Sequence, residues 1–548
     1  MLSLGSLGDK WKDDQNLQFG VDYLFMPALT LRTDLSSVIY RDRQSGFNND
    51  VRTHVGRVGM EFTPLPAVMA SVLAGPKFDT RFHQNDTGLN YTFQLTALNV
   101  RYEDYDNSLN VLLGQDRFAQ RRNGDLAAHY ILKREFVPGT SDSLHIFTTN
   151  QRRDNYASLE GDIESLRERQ NGFENRLLYS VAPGVRFNLY SELLFKNVHV
   201  LSSSGELTQK ERRRNDQRFN NELGLFVMRR SLSGRMMLSY WSQTQRYDID
   251  VGDKRIPFSK RTAFVTPDNE SSRLSLSAIG GARLSRADSL YSYFSVNRYQ
   301  YDTPDTNNFD DRDEFRINGR LTAIHHFSEM LKVDIQASVN LFHMVYIYGE
   351  RSADNNWNRI FRLRPGIHIN PSDRLRFSQV FEVLANYVDY DFNDEFSLTK
   401  SFVFRKFAMD DSLRLQITDR TRLLLDYRLQ LEENGQLNWE EWTERVLAAR
   451  QNQWFHIRWH YSIADKFVLA PGYTFYRRDE WRHSVDQFGV ERRERQGVHI
   501  SHGPVLRLFY RPSRRIRLIF DGVRYAVKPA AGAEYFTNNL ELVMNLYL

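Results

Sequence analysis

The chain has no cysteine among its 548 residues. Disulfides, thiolate metal sites, iron–sulfur clusters and cysteine nucleophiles are therefore excluded. The absence fits an oxidising compartment, where a stray thiol is a liability. No run of 18 apolar residues occurs, so no conventional transmembrane helix is expected. No secretion signal is visible either. Met1–Gly8 has neither a basic start nor a long apolar core, so the chain is expected to be intracellular or to begin after something has been removed. Hydrolase, metalloprotease, P-loop and dinucleotide fingerprints (G-x-S-x-G, H-E-x-x-H, Walker, G-x-G-x-x-G) are missing from any suitable context. No catalytic residue, metal or cofactor is expected. Lysine is scarce, since 60 of the 73 basic residues are arginine. That bias suits carboxylate or phosphate partners better than generic solubility. The basic residues are spread along the chain instead of gathered in a patch, which argues against nucleic acid.

Aromatic residues, by contrast, are abundant at 13%, with 27 Tyr and 37 Phe, and the net charge is +5. Hydrophobic residues are only 41%. This combination does not exclude a membrane barrel, because only alternate residues of its strands face lipid. Aromatic girdles at the two water interfaces would account for the Tyr and Phe surplus.

Strict alternation runs from end to end. In Asn355–Phe392, Phe361, Leu363, Pro365, Ile367 and Ile369 oppose Arg362, Arg364, Gly366, His368 and Asn370. After a turn at Pro371–Asp373, Leu375, Phe377, Phe381, Val383, Ala385 and Tyr387 oppose Arg376, Ser378, Glu382 and Asn386, with Arg374 assigned to the same polar set. Val380, Leu384 and Val388 break the pattern. Successive strand side chains point to opposite faces, so this is a hairpin with one oily and one charged face. The same pattern recurs in Leu17–Phe25, Val185–Phe195, Leu331–Leu341, Leu423–Leu431 and Phe455–Ile463. A helix is expected only at Trp439–Val446.

Short turns, such as those at Pro27, Pro138–Asp142, Pro183-Gly184, Pro371–Asp373 and Asp419-Arg420, alternate with longer polar connections. The long ones are expected at Glu160–Gln170, Ser202–Asp216, Asp250–Glu270, Pro304–Asp311, Glu433–Arg445, Asp486–Arg495 and Lys528–Glu534. One rim of short turns and one of long loops is the signature of an up-and-down barrel. The expected fold is all-β, a large antiparallel transmembrane barrel of about 26 strands (24–26) forming one domain over residues 1–548, with Leu2–Leu7 as the extra strand. At roughly 4.8 Å per strand and a tilt near 40°, such a wall has a diameter of about 50 Å. Side chains alone cannot fill that lumen. Propellers, solenoids and sandwiches fit less well, because no repeat of fixed length appears.

On these patterns the chain resembles a Gram-negative outer-membrane β-barrel, porin-like and of no particular family. Its last strand (Leu540, Leu542, Met544, Leu546 and Leu548, interleaved with Glu541, Asn545 and Tyr547) resembles the targeting strand read by the barrel-insertion machinery. The resemblance implies the cell outer membrane as location, with outer-membrane lipid, lipopolysaccharide and the insertion machinery as partners. A periplasmic protein or a lumen partner would be a further one. The size is similar to lipopolysaccharide-assembly barrels and to barrels that sheathe multihaem cytochromes. TonB-dependent receptors are set aside, because their plug domain has no counterpart before the strands begin.

The inward face is expected to carry Arg362, Arg364, Arg374, Arg376, Arg414, Arg422, Arg428, Arg458, Arg507 and Arg517, with Glu382, Asp426 and Asp521 interspersed. These residues either form an anion-favouring channel or conduit, or a ladder of ion pairs that stiffens the wall. His456 and His460 share a face but lie about 13 Å apart on a strand, too far to share a metal. The acidic stretch Asp302–Glu314 lacks calcium-loop spacing. Basic clusters at Glu211–Arg214 and Glu491–Arg495 are expected in loops, facing lipopolysaccharide phosphates or water. The expected function is a channel, export conduit or partner-holding barrel for anionic solutes or polymers. An outer-membrane enzyme built on the barrel is the alternative.

Overall fold

Alternation of this kind can bury nothing until each strand finds two neighbours, and in the computed structural model every strand does. The structure describes residues 2–7, 10–44, 47–81, 84–157, 161–202, 211–250, 268–305, 308–392, 401–439, 441, 443–464, 466–485, 491–513 and 516–546. The strands are β1 (Leu2–Leu7), β2 (Lys10–Met26), β3 (Leu29–Gln44), β4 (Phe47–Leu65), β5 (Val68–Arg81), β6 (Gln84–Tyr102), β7 (Tyr105–Phe118), β8 (Arg122–Val137), β9 (Thr140–Tyr156), β10 (Ile163–Ala182), β11 (Val185–Ser202), β12 (Glu211–Met228) and β13 (Leu232–Asp250). There follow β14 (Asn269–Arg283), β15 (Asp288–Asp302), β16 (Arg312–His326), β17 (Leu331–Tyr346), β18 (Asn356–Ser372), β19 (Leu375–Tyr390), β20 (Phe402–Thr418), β21 (Thr421–Asn438), β22 (Thr443–Ala464), β23 (Phe467–Val485), β24 (Glu491–Ser513), β25 (Ile516–Lys528) and β26 (Tyr535–Leu546). All 26 lie in one sheet. Each pairs antiparallel with the next, and β1 pairs with both β2 and β26, so the sheet closes on itself. The strand Leu2–Leu7 expected from the sequence is thus the closing one.

Twelve of the strand-to-strand steps, from β2–β3 through β24–β25, leave gaps of two to four residues and share one rim. Two of them are Pro-Gly turns, with Gly139 at φ +83° and Gly184 at φ +77°. Proline presets the first turn position and glycine accepts the positive φ of the second. A Cβ on Gly184 would also meet the Met228 carbonyl oxygen at 2.1 Å.

The opposite rim differs from expectation in detail. β10 begins at Ile163, β12 at Glu211, β22 at Thr443 and β24 at Glu491. Several stretches expected as long loops are therefore strand. The basic clusters Glu211–Arg214 and Glu491–Arg495 open strands, and Thr443–Val446 belongs to β22, not to a helix. The cause is strand length. Apart from β1, strands run from 12 residues in β26 to 23 in β24, whereas 9–11 suffice to cross a bilayer. The surplus stands in water and is written in loop-like residues. The one helix among the described residues, a 3-10 turn at Gly349–Asp354, was not expected. Residues 160, 203–210, 251–267, 306–307, 440, 442 and 486–490 of the expected loops and helix, and Tyr547 and Leu548, lie outside the described residues.

Register fixes the two faces. Tyr130, Ile146, Phe173, Leu193 and Phe219 occupy paired positions on β8 to β12. They are 36% to 47% exposed. A second row runs Leu321, Ala337, Leu363, Val383, Phe407 across β16 to β20. One residue along, the matching row is Arg320, Ser338, Arg362, Leu384, Lys406. An exposed apolar belt encircling the molecule is far larger than the few hundred Å² a soluble monomer tolerates. In hydrocarbon an open sheet edge is equally excluded. Oily-out, polar-in and closed is the arrangement that meets both demands, and the chain is a transmembrane β-barrel. Leu384 and Val388, which break the alternation, turn inward and are buried. On the outward face Asp411 interrupts the belt, facing Gln379 and Tyr427.

Aromatic side chains mark both ends of the belt. Tyr23, Tyr179, Tyr461 and Tyr510 are exposed near the short-turn rim. Toward the other rim the Arg359 guanidinium lies 5.1 Å from the Trp357 ring and 4.2 Å from the Trp439 ring, with Asp389 at 3.2 Å.

Candidate functional site, the lumen wall

The inward residues of β2 to β9 neutralise one another. Arg32 reaches Asp22 at 3.1 Å and Glu61 at 2.6 Å. Arg57 faces Asp34 across the ladder and donates through Nε and Nη2 at 2.9 and 2.6 Å. Lys77 meets Asp116 at 2.7 Å. These are cross-strand charge pairs, the sheet counterpart of helical i,i+4 pairs.

At the long-loop end of the same sector sits Arg121, in the turn between β7 and β8, with no exposed surface. Its Nε donates to Asp86 at 2.7 Å and Nη2 to Asp79 at 2.5 Å, while Nη1 donates to the Asp154 carbonyl at 3.2 Å. The guanidinium lies between the rings of Phe118 and Tyr156, at 4.9 and 4.7 Å. Tyr156 Oη donates to Asp86, and Thr53 Oγ1 to Asp79. Burial works against the Arg121 charge, but Asp79 and Asp86 outweigh it, so the group is held even more firmly protonated than usual. Buried charges persist only when paired in this way. Nothing in the sequence singled out this cluster. Its members come from five strands and a turn, and only the register brings them together.

The β18–β25 sector differs. Of the ten arginines expected to line the lumen, nine lie on the inward parity. Arg374 instead occupies the Asp373-Arg374 turn between β18 and β19, where it meets Asp419 at 3.6 Å. Three others have carboxylate partners. Arg428 is paired with Asp410, Arg507 grips Asp521 through two bonds of 2.6 and 2.8 Å, and Arg362 stands 3.9 Å from Glu382. Among the described residues, Arg364, Arg376, Arg414, Arg422, Arg458 and Arg517 have no carboxylate within 4.0 Å. Arg376 lies directly opposite Arg414, and Arg422 opposite His460. Arg422 donates instead to Gln416 at 2.7 Å, and Arg517 lies over the Phe509 ring at 5.4 Å. The ion-pair ladder expected from the sequence is thus dense in β2–β9, and in β18–β25 ion pairs alternate with arginines that no carboxylate meets.

The remaining candidates are accounted for locally. Asp311 receives bonds from the Thr303 backbone and hydroxyl, Arg351 pairs with Asp310, and Arg298 with Asp313. Among the described residues no group of three His, Asp or Glu could hold a metal ion. Arg212, Arg213 and Arg214 are paired with Glu164, Glu211 and Asp216. His456 faces Asp426. His499 and His502 point to opposite faces, the latter bonded to Tyr473 at 2.6 Å.

This geometry defines a class, the large closed transmembrane β-barrel of outer-membrane type with a charged lumen. No protein-family model matches the chain, and no curated protein matches it. Among solved structures it is similar to "Copper transporter OprC", with TM-score 0.45 and 8% identity over 87% of this chain and 80% of that one. It is also similar to the ferric-catecholate import receptor Fiu of E. coli K12, at 0.41 and 10% over 92% and 88%. The outer membrane transporter YddB of Escherichia coli follows, at 0.43 and 8% over 90% and 76%. The fold assignment rests on this chain's own strand pairing. Plugged outer-membrane transporters are typically built on about 22 strands; this wall has 26.

Proposed function

We propose that the chain is an outer-membrane barrel forming one unit that acts as a conduit or partner-holding scaffold for anionic solutes or polymers. The observation that carries this is the β18–β25 lumen wall, where Arg376 faces Arg414 and neither has a carboxylate in reach. Like charges placed opposite each other cost stability, so a wall that keeps them gains something else from them. Low-dielectric walls focus the field of such charges onto the water between them and concentrate anions there. The neutralised β2–β9 sector adds stiffness without opposing that field.

The test is reversal potential across planar bilayers holding the purified barrel under a potassium chloride gradient. Anion preference is expected. The triple variant Arg376→Gln, Arg414→Gln, Arg422→Gln should lose most of it, while Arg32→Gln with Glu61→Gln should change it little. Cation preference in the parent barrel, or an unchanged reversal potential in the triple variant, overturns the proposal. Detergent-dependent extraction and heat-modifiable gel migration check the membrane setting.

A further inference from the structure

We infer that the lumen wall of β19–β22 holds a multiply charged oxyanion of the phosphate type between Arg376, Arg414, Arg422, Arg458 and His460. This deepens the anion-conduit reading and rests on it for the direction in which these side chains point.

Two register lines converge here. One runs Arg376, Arg414, Leu424, Arg458 across β19 to β22. The other runs Gln416, Arg422, His460 across β20 to β22. Arg458 and His460 are two residues apart on β22, so their side chains leave one face roughly 7 Å apart. Positive charge from Arg458, Arg422, Arg507 and Arg414 acts on the His460 ring.

The nearby carboxylates do not offset this. Asp521 is engaged by Arg507, Asp410 by Arg428, and Asp419 stands at the rim with Arg374. Glu382 is engaged by Lys406 and Arg362, and Glu432 by Arg450. Asp426 faces His456 and Ser412 and reaches none of the four arginines within 4.0 Å.

A second observation is independent of charge. Arg458 Nε and His460 Nε2 are both shut off from solvent and have no hydrogen-bond partner. Buried polar atoms are ordinarily satisfied, and an orphaned one costs free energy comparable to a lost hydrogen bond. A diffuse anion-attracting field needs no such atoms. Once the two side chains turn toward the lumen, a bound oxyanion supplies an acceptor for the Arg458 Nε–H, and one for His460 in the tautomer that carries its proton on Nε2. Guanidinium forks match tetrahedral oxyanions through two parallel bonds, which a lysine point charge cannot do. The site should therefore prefer phosphate to chloride and arginine to lysine.

The probes are inorganic pyrophosphate and a polyphosphate chain, titrated calorimetrically into the detergent-purified full-length barrel at low salt, with heat-modifiable migration confirming that each variant is folded. Saturable pyrophosphate binding is expected, weakened at least tenfold in Arg414→Gln and also in Arg376→Lys, and unchanged in Arg57→Gln on the opposite sector. Polyphosphate binding tighter than pyrophosphate supports a polymeric ligand, and equal affinities support a single phosphate-bearing solute. Absence of saturable binding overturns the inference, as does full binding in Arg414→Gln or in Arg376→Lys. Anion-selective conductance without saturable binding defeats this inference alone. Saturable binding in a barrel with no anion preference defeats the conduit reading alone.

Discussion

The lumen walls of β2–β9 and β18–β25 are written in the same residue types and differ in where the carboxylates fall. In the first, Asp34 stands opposite Arg57 and Asp116 within reach of Lys77. In the second, the position opposite Arg376 is Arg414, and the position opposite Arg422 is His460. Where the facing residue is a carboxylate the pair stiffens the wall; where it is a second cation, as at Arg376 and Arg414, no carboxylate offsets the charge. Composition cannot distinguish the two cases, and neither can alternation; cross-strand register can.

The comparison is broken most directly at Arg121. Truncating it to alanine leaves Asp79 and Asp86 buried without their cation, and breaking a buried pair in this manner costs about 3–5 kcal/mol. Arg414→Gln, which removes a charge that no carboxylate meets, should be neutral or slightly stabilising. Urea unfolding from lipid vesicles measures both. Equal losses at the two positions would mean that the two sectors are not electrostatically distinct.

The outside of the wall supplies the control, because there the sectors should behave alike. Val72 on β5 and Phe381 on β19 both lie on the outward parity, Val72 opposite Met60 and Phe381 opposite Met409. Arginine at either position should cost about 2–4 kcal/mol if it sits near mid-membrane. An insensitive Phe381 would mean that the face does not meet lipid, and the assignment of inside and outside would have to be reversed. Asp411 adds a local refinement, since an arginine at Phe381 could reach toward it.

How much of this was legible beforehand follows from what alternation encodes. Phe361 and Leu363 against Arg362 and Arg364 gave the faces, because the strand period is two whatever the neighbours are. The Pro-Gly turns at Gly139 and Gly184 gave the short rim, because proline and glycine each fix a turn dihedral. A count of about 26 strands followed from those turns with Leu2–Leu7 added as the extra strand; that Leu2–Leu7 closes the sheet is visible only in its pairing with both β2 and β26. The far ends of the strands did not follow. Glu491–Arg495 stands in water as strand, and charged residues there read as loop. Arg374 was assigned to the wall because it precedes a strand pattern, although it occupies the turn itself. The Arg121 cluster and the Arg376–Arg414 opposition could not be read at all. Both depend on which residue of one strand faces which residue of the next, and a chain of hairpins fixes that register only once every turn and bulge has been placed.

The finest version of the comparison is a difference in sign. In a double-mutant cycle on Arg57 and Asp34, the singles Arg57→Gln and Asp34→Asn and their combination should give a favourable coupling of about 0.5–1 kcal/mol, because the pair is bidentate but about a quarter exposed to lumen water. The same cycle on Arg376 and Arg414, with glutamine at each, should give a smaller coupling of the opposite sign, since the two cations share one cross-strand site. High salt should shrink both toward zero. Pyrophosphate should move only the second, turning an unfavourable pair into a favourable one as the shared anion takes up both forks. A coupling of zero at Arg376–Arg414 at low salt and without any oxyanion would show that lumen water alone relieves the repulsion, and the energetic reason for a ligand there would be gone.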